Sequence, residues 1–314
     1  MKTAFVRTLE ELSQKEKNLL VLTADLGFKL FDNFKAGCPD RFYNAGVAEA
    51  NMVGMAAGLS LCGKNVYCYS IIPFLVMRAF EQIRVDIAYH NLNVKLVGVG
   101  GGFTYGFEGF THFGLEDLSL MTSLPNMTVV VPADPLEAKA IAEISLEYDS
   151  PMYIRLGSTG GPVIHDKTPD LKIGRAMILR EGRDVAIFAT GDMVYSGMQV
   201  VDMLTKRGIS ASMVNVHTLK PLDTETILQI ASTHDVIVSI EEHNISGGLG
   251  SAVSEVLAES GYCGVFKRVG IREGLDRRVV GNADFLRQHH GLTPQKVYET
   301  ILDLIKGYDI AVEG

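Results

Sequence analysis

Glu49 lies in YNAGVAEANMVGMAAGLSLCG, residues 43–63, a run of small and apolar residues with no Lys or Arg beside it. The helix dipole favours an acid in a first turn, and on composition alone that accounts for it. Two glycine clusters have the composition of phosphate cradles but the wrong spacing. The third glycine of G-x-G-x-x-G is replaced by Phe103 in GVGGGF (98–103) and by Val253 in GGLGSAV (247–253). Neither carries the Lys-Ser/Thr pair of a phosphate loop, so both read as tight turns between strand and helix. TGDMVYSG (190–197) begins like a diphosphate-binding Gly-Asp-Gly motif, yet Met193 replaces the second glycine. Asp192 reads more simply as the N-cap of a following helix. Cys38, Cys62, Cys68 and Cys263 form no C-x-x-C pair and no metal-ligand spacing. They fit buried or idle thiols in a reducing compartment.

Regular elements must position these residues, and the apolar patterning supplies them. LLVLT (19–23), NVYCY (65–69), VKLVGV (94–99), TVVVP (128–132) and MYIRL (152–156) read as buried strands. Between them AEANMVGMAAGLSLC, RAFEQIRVDIAYHN and DPLEAKAIAEISLEY have helical spacing, with Pro135 in a first turn that tolerates proline. GSTGGPVIHDKTPDLK (157–172) breaks the rhythm with glycines, prolines and charges and marks a boundary. Beyond it, strands at DVAIFAT, SASMVNV, DVIVSIEE and VFKRVG alternate with helices that end in TPQKVYETILDLIKG. Such alternation is the pattern of parallel sheets covered by crossover helices. The expected fold is α/β in two domains, residues 1–160 and 175–314, joined by a linker over 161–174. Each domain is a mainly parallel sheet flanked by helices.

At 314 residues the chain exceeds the size at which a single core usually stops growing. It is 47% hydrophobic and 21% charged, the profile of a globular α/β enzyme subunit. A formal net charge of -8 argues against a nucleic-acid partner. No window is apolar and long enough to span a bilayer. The first residues, MKTAFVRTLEELSQKEKNLL, mix acids with bases and lack a signal peptide's apolar stretch, so they read as a helix. The expected location is the cytoplasm.

Six blocks follow in order through the first half: DLGF (25–28), GVAEANMVGMAAGLS (46–60), PFLVMRAFEQIR (73–84), YGFEGFTHFGLEDLSLM (105–121), LPNMTVVVPADPLEA (124–138) and PMYIRLG (151–157). Together they closely resemble the pyrimidine-binding domain of transketolase-like, thiamine-diphosphate-dependent enzymes. EEHNISGGLGSAVSEVLAE (241–259) and VGIREG (269–274) resemble the same family's C-terminal domain, so the resemblance covers nearly the whole chain. It implies chemistry for Glu49. In that family the thiazolium C2 proton passes to the cofactor's own 4'-amino group in its imino form. A carboxylic acid hydrogen-bonded to N1' of the aminopyrimidine promotes that tautomer. Apolar surroundings suit such an acid because burial opposes its ionised form. Gly46, Ala48, Ala50 and Gly54 leave room for a ring.

The resemblance carries other residues over by their place in the blocks. Phe74 matches the aromatic packed on the aminopyrimidine. Asp25 and Leu26 fall near the cofactor, although an Asp ending a strand also serves as a turn cap. His112 matches a TH motif whose His faces the reacting carbon and moves protons or hydrogen-bonds a substrate oxygen. Glu108 stands where an acid, commonly Asp, meets a substrate hydroxyl. Arg78 on the cofactor, and Lys29 and Arg155 on the substrate, would meet a phosphate or another anion.

Two departures bear on function. Gly100 stands where many members have a histidine that touches the sugar, so Gly100 marks a substrate contact that has changed. No block matches the family's diphosphate-binding domain, with its Gly-Asp-Gly and downstream Asn. The resemblance therefore implies thiamine diphosphate shared across an interface, with Mg2+ or a similar divalent cation held by a separately encoded partner and no metal ligand here. The implied assembly is an alpha2beta2 heterotetramer. The implied activity is transfer of a two-carbon ketol unit from a ketose, expected to be phosphorylated, to an aldose. A 1-deoxyxylulose-5-phosphate synthase-like subunit and the β subunit of a 2-oxoacid dehydrogenase E1 would share this chemistry. A non-catalytic subunit that kept the fold is the alternative of another class, against which retained Glu49 and His112 argue.

Overall fold

The computed structural model describes residues 1–157, 161–272 and 279–307. The boundary stretch 157–172 and the VGIREG block therefore lie partly outside the described residues, at 158–160 and 273–274. The strands are β1 (Leu19–Thr23), β2 (Phe42–Asn44), β3 (Asn65–Ile71), β4 (Val94–Val99), β5 (Thr128–Val130), β6 (Met152–Leu156), β7 (Met177–Arg180), β8 (Val185–Ala189), β9 (Ala211–Asn215), β10 (Thr218–Lys220), β11 (Val236–Asn244) and β12 (Val265–Ile271). They form one sheet in the order β10-β5-β6-β4-β3-β1-β2 and a second in the order β12-β11-β8-β9-β7. All pairings are parallel except β10 with β5 and β7 with β9.

Strands β1, β4, β6, β8 and β9 are buried along their whole length. A parallel sheet is covered on both faces by its crossover helices, so its strands read as unbroken apolar runs. On one face of the first sheet, Phe5, Val6 and Leu9 from helix Lys2–Lys15 pack with Ala138 and Ile141 from helix Pro135–Glu147. On the other, Met52, Val53 and Ala56 of helix Glu49–Leu61 pack with Ile83 and Ile87. Pro135 opens its helix, and Asp134 caps it by accepting from the amide of Glu137.

Several expectations need correcting. The stretch RAFEQIRVDIAYHN is not one α-helix, since a short α-turn (Phe80–Gln82) runs into a π-helical segment (Ile83–Ala88). Another π-helical segment, Pro73–Met77, precedes it. The short strands β2, β7 and β10 carry no long apolar run by which a sequence would announce them. Asp192 begins helix Met193–Thr205 without a side-chain capping bond, and its carboxylate lies 3.6 Å from Arg287. The GGLG turn has its anion already: Leu249 and Gly250 amides donate to the buried Glu241 carboxylate (2.7 and 2.9 Å). No described helix is long and apolar enough to cross a membrane.

Candidate active site

Strands β1 and β2 run parallel, and their carboxyl ends deliver the chain to Glu49. Asn44 fixes this corner. Its Oδ1 accepts from the amides of Asp25 (2.9 Å) and Gly46 (3.0 Å), while its Nδ2 donates to Asp25 Oδ1 (3.0 Å). Glu49 then opens its helix and is 1% exposed. In space the acid is not without a base. Arg78, 29 residues on, donates from Nη1 to Oε2 at 2.6 Å, because the π-helical turn after β3 folds back over the helix start. Among the described residues, Oε1 keeps only a long contact with Ser70 Oγ, 3.4 Å.

The same turn places Phe74. Single π-turns are frequent at functional sites, and here the Arg78 guanidinium lies over the Phe74 ring at 4.9 Å. The His112 ring meets Phe74 edge-on, with centroids 5.1 Å apart. Thr111 Oγ1 engages His112 Nδ1 at 2.9 Å, leaving Nε2 as the nitrogen available to a ligand. Glu49, Arg78, Phe74 and His112 thus form one contiguous group.

His112 in turn approaches Tyr105, whose ring centroid is 6.3 Å away. Tyr105 borders a cleft of about 510 Å3 lined also by Leu26, Phe28, Lys29 and Tyr69. The Tyr105 ring lies on Gly100. That residue has φ +91, and a Cβ there would stand 2.4 Å from the ring. The space of a side chain at position 100 is therefore filled from the loop instead. Burial, and to a lesser degree the Glu108 carboxylate, push the Tyr105 hydroxyl up from its usual pKa.

Not every candidate is gathered here. Asp25 is held at the rim by Asn44, and Glu108 is exposed on the loop before His112. Arg155 is a correction. It lies on the fully buried β6, where its Nε binds Asp117 Oδ2 (2.8 Å) and its Nη2 binds the carbonyls of Gly114 (2.7 Å) and Glu242 (3.1 Å). A guanidinium with these internal partners is not offered to a substrate anion. Among the described residues, no group of three or more His, Cys, Asp or Glu is placed to hold a metal ion.

Residues 1–159 match the transketolase pyrimidine-binding domain, and residues 174–297 match the transketolase C-terminal domain. The chain belongs to the transketolase family. A protein named as a transketolase C-terminal section, from Methanocaldococcus jannaschii, is 39% identical over 98% of this chain and 96% of its own length. The 6-deoxy-6-sulfo-D-fructose transketolase subunit SqwH of a Clostridium species is 38% identical over 95% of this chain and 92% of its own. A solved split-gene transketolase, in an inactive beta4 tetramer, superposes with a TM-score of 0.86 at 37% identity, covering 96% of this chain and 97% of that one. These relatives are named as a section, a subunit or a split-gene form of a transketolase, and the chain is a transferase of that family.

Transketolase membership implies thiamine diphosphate, and the site fits one end of that cofactor. Among the described residues, and apart from the adjoining backbone, no heavy atom lies within 4 Å of where a Cβ would stand at Gly46 or Gly54. Glu49 Oε1 faces no strong partner, and Phe74 supplies a half-buried ring. Three residues that the sequence does not single out also border this candidate site: Asn44, Ser70 and Tyr105. Asn44 had a signal, an amide-bearing side chain directly before AGVAEA. Tyr105 had another, an aromatic within the YGFEGFTH block beside the unusual Gly100.

Proposed function

We propose that the chain is the C-terminal subunit of a two-chain transketolase that moves a two-carbon ketol unit from a phosphorylated ketose to an aldose. The observation that carries this reading is the buried Glu49, at a helix start open to a ring, with Phe74, Arg78 and His112 gathered around it. Thiamine diphosphate, when bound between this chain and its partner, supplies the carbon nucleophile. Glu49, Phe74, Arg78, Asp25 and Leu26 hold its aminopyrimidine end. Glu49 shares a proton with the ring nitrogen through Oε1, while Arg78 orients Oε2 and balances its charge. His112 hydrogen-bonds a substrate oxygen through Nε2 or moves a proton there. Glu108 meets a substrate hydroxyl, Lys29 the phosphate, and Tyr105, on Gly100, shapes the cleft.

The partner carries the diphosphate-binding domain and Mg2+, in an alpha2beta2 assembly in the cytoplasm. Val47, Met55 and Leu61, before and along the helix that Glu49 opens, and Met77, next to Arg78, are exposed and support a covering partner. The inactive beta4 form of a related chain supports a subunit that is idle alone. The test is ketol transfer by the chain mixed with its partner, thiamine diphosphate and magnesium. The single chain should show none. Glu49→Gln should keep assembly and cofactor affinity while turnover falls at least ~10²-fold, the scale of a general acid-base group. A purely structural acid would lose stability, about 0.3–1 kcal/mol for its place in the first turn together with its share of the Arg78 pair, and leave turnover intact. That outcome, or robust turnover by the single chain, would overturn the proposal.

A further inference from the structure

We infer that Glu242, acting with Arg287, is a positioning residue for His112: the second half of the chain clamps the base of the loop that presents Tyr105 and His112. The inference rests on the function proposed above. The loop closes at its base through two backbone bonds, Gly102 amide to Gly114 carbonyl (2.9 Å) and Gly114 amide to Gly102 carbonyl (3.1 Å). One residue into the loop, the Phe103 amide donates to Glu242 Oε1 at 2.9 Å. Glu242 is buried on β11, and its Oε2 accepts from Arg287 Nε (3.0 Å) and Nη2 (2.6 Å).

The ties continue around the loop. The buried Phe103 ring stacks on His290, with centroids 5.2 Å apart and planes 14° from parallel. The main-chain oxygen of Glu242 and that of Gly114 share Arg155 Nη2, so both ends of the loop are tied to one residue of β11. Farther out, the Gly281 amide donates to the Gly106 carbonyl at 3.3 Å. A Cβ at position 106 would stand 2.2 Å from the Gly281 oxygen, so the two backbones meet with no side chain between them. His112 itself touches the rest of the site only by its ring, across to Phe74 and Tyr105. Its position therefore follows the loop, and the loop follows Glu242. Glu242 and Arg287 act through the loop and touch no reacting atom.

The experiment uses the full chain with its partner, and the chain by itself for spectroscopy. Glu242→Gln keeps an acceptor for Phe103 but removes the charge that holds Arg287. Arg287→Ala removes the other half of the clamp and serves if the first variant folds poorly. Each should lower kcat roughly 10- to 10²-fold, the scale of a misplaced catalytic group, with partner assembly and cofactor affinity retained. The double variant should fall little further than either single one, and Arg287→Lys should restore most of the loss. In the isolated chain the His112 imidazole resonance, assigned through His112→Gln, should move or broaden in both variants. An unmoved resonance in both overturns the clamp whatever the activity does. Unchanged kcat beside a moved resonance overturns it equally, since the placement would then not matter. If the unaltered pair fails to transfer ketol units, the proposed function falls, and the resonance alone still decides the clamp.

Discussion

Arg78 sets the terms on which Glu49 can act. A carboxylate that is 1% exposed loses its cation in Arg78→Met. Breaking a fully buried pair costs about 3–5 kcal/mol, but the Arg78 side chain is 47% exposed, so solvent screening reduces the expected loss to about 1–2 kcal/mol. Urea unfolding of the isolated chain should show that loss, and a smaller one when Glu49 is already Gln. Equal losses in both backgrounds would mean that the two side chains are not coupled. At Gly100 the expectation is steric. Gly100→Ala puts a Cβ at positive φ against the Tyr105 ring, so it should lower stability by about 1 kcal/mol or more. It should also raise KM for the ketose by pushing Tyr105 into the cleft; an unchanged KM would remove Tyr105 from the substrate site. The family blocks made Glu49, Phe74, Arg78 and His112 legible as residue types at ordered positions. They did not show that Arg78 would close on Glu49, because the turn that joins them is π-helical and has no apolar period to read. Arg155 was misread for a related reason: on a strand covered on both faces, even an arginine points into protein.

The elements were legible where burial is two-sided and obscure where it is not. Strands β1, β4 and β6 have the bounds that their apolar runs announce. Strand β10, with Thr218 and Lys220 in three residues, is defined by its partner β5. Within the stretch 161–174, expected as a linker, residues 164 and 165 are fastened by hydrogen bonds. Asp134 Oδ2 accepts from the amides of Ile164 (2.8 Å) and His165 (3.2 Å). His165 Nε2 meets Glu137 Oε1 at 2.7 Å, an oxygen that Asn215 Nδ2 also reaches. The hydrogen bond to Glu137 raises the His165 pKa above its usual 6.5, against some desolvation. A base with a raised folded-state pKa contributes stability that is full below about pH 6.5 and is lost as pH rises through the folded value. Burial lowers the pKa of nearby His217, whose effect has the opposite sign and is felt as a loss below about pH 6.5. His165→Gln should therefore flatten the alkaline fall in the urea midpoint and leave the acid fall in place. An unaltered alkaline limb would show that the clasp does not contribute.

At the scale of the molecule, the two sheets invite a picture of two independent bodies, which contact of this kind argues against. Strand β10 belongs by sequence to the second half but completes the first sheet. Leu219, Val214, Leu249 and Val253 pack in one core with Leu118, Met121 and Leu124, while Phe103, Phe113 and Leu115 pack with Val194 and Leu286. Lys220 Nζ, on the same strand, donates to the carbonyls of Thr122 (2.8 Å) and Leu124. Each fully buried Leu or Val contributes about 1.5–3 kcal/mol, so separating the halves would expose apolar surface worth more than the ~5–15 kcal/mol by which a domain is usually stable. Chains above ~150 residues often unfold in stages, but here the expected calorimetric trace is a single transition whose van't Hoff and calorimetric enthalpies agree. A fragment of residues 1–173 would leave the β5 edge unpaired and the Leu118–Leu124 face uncovered, so it should aggregate rather than fold. Two resolved transitions, or a soluble fragment that melts with native cooperativity, would show that the halves fold separately. The tie between the second half and the His112 loop would then have to be maintained by docking alone.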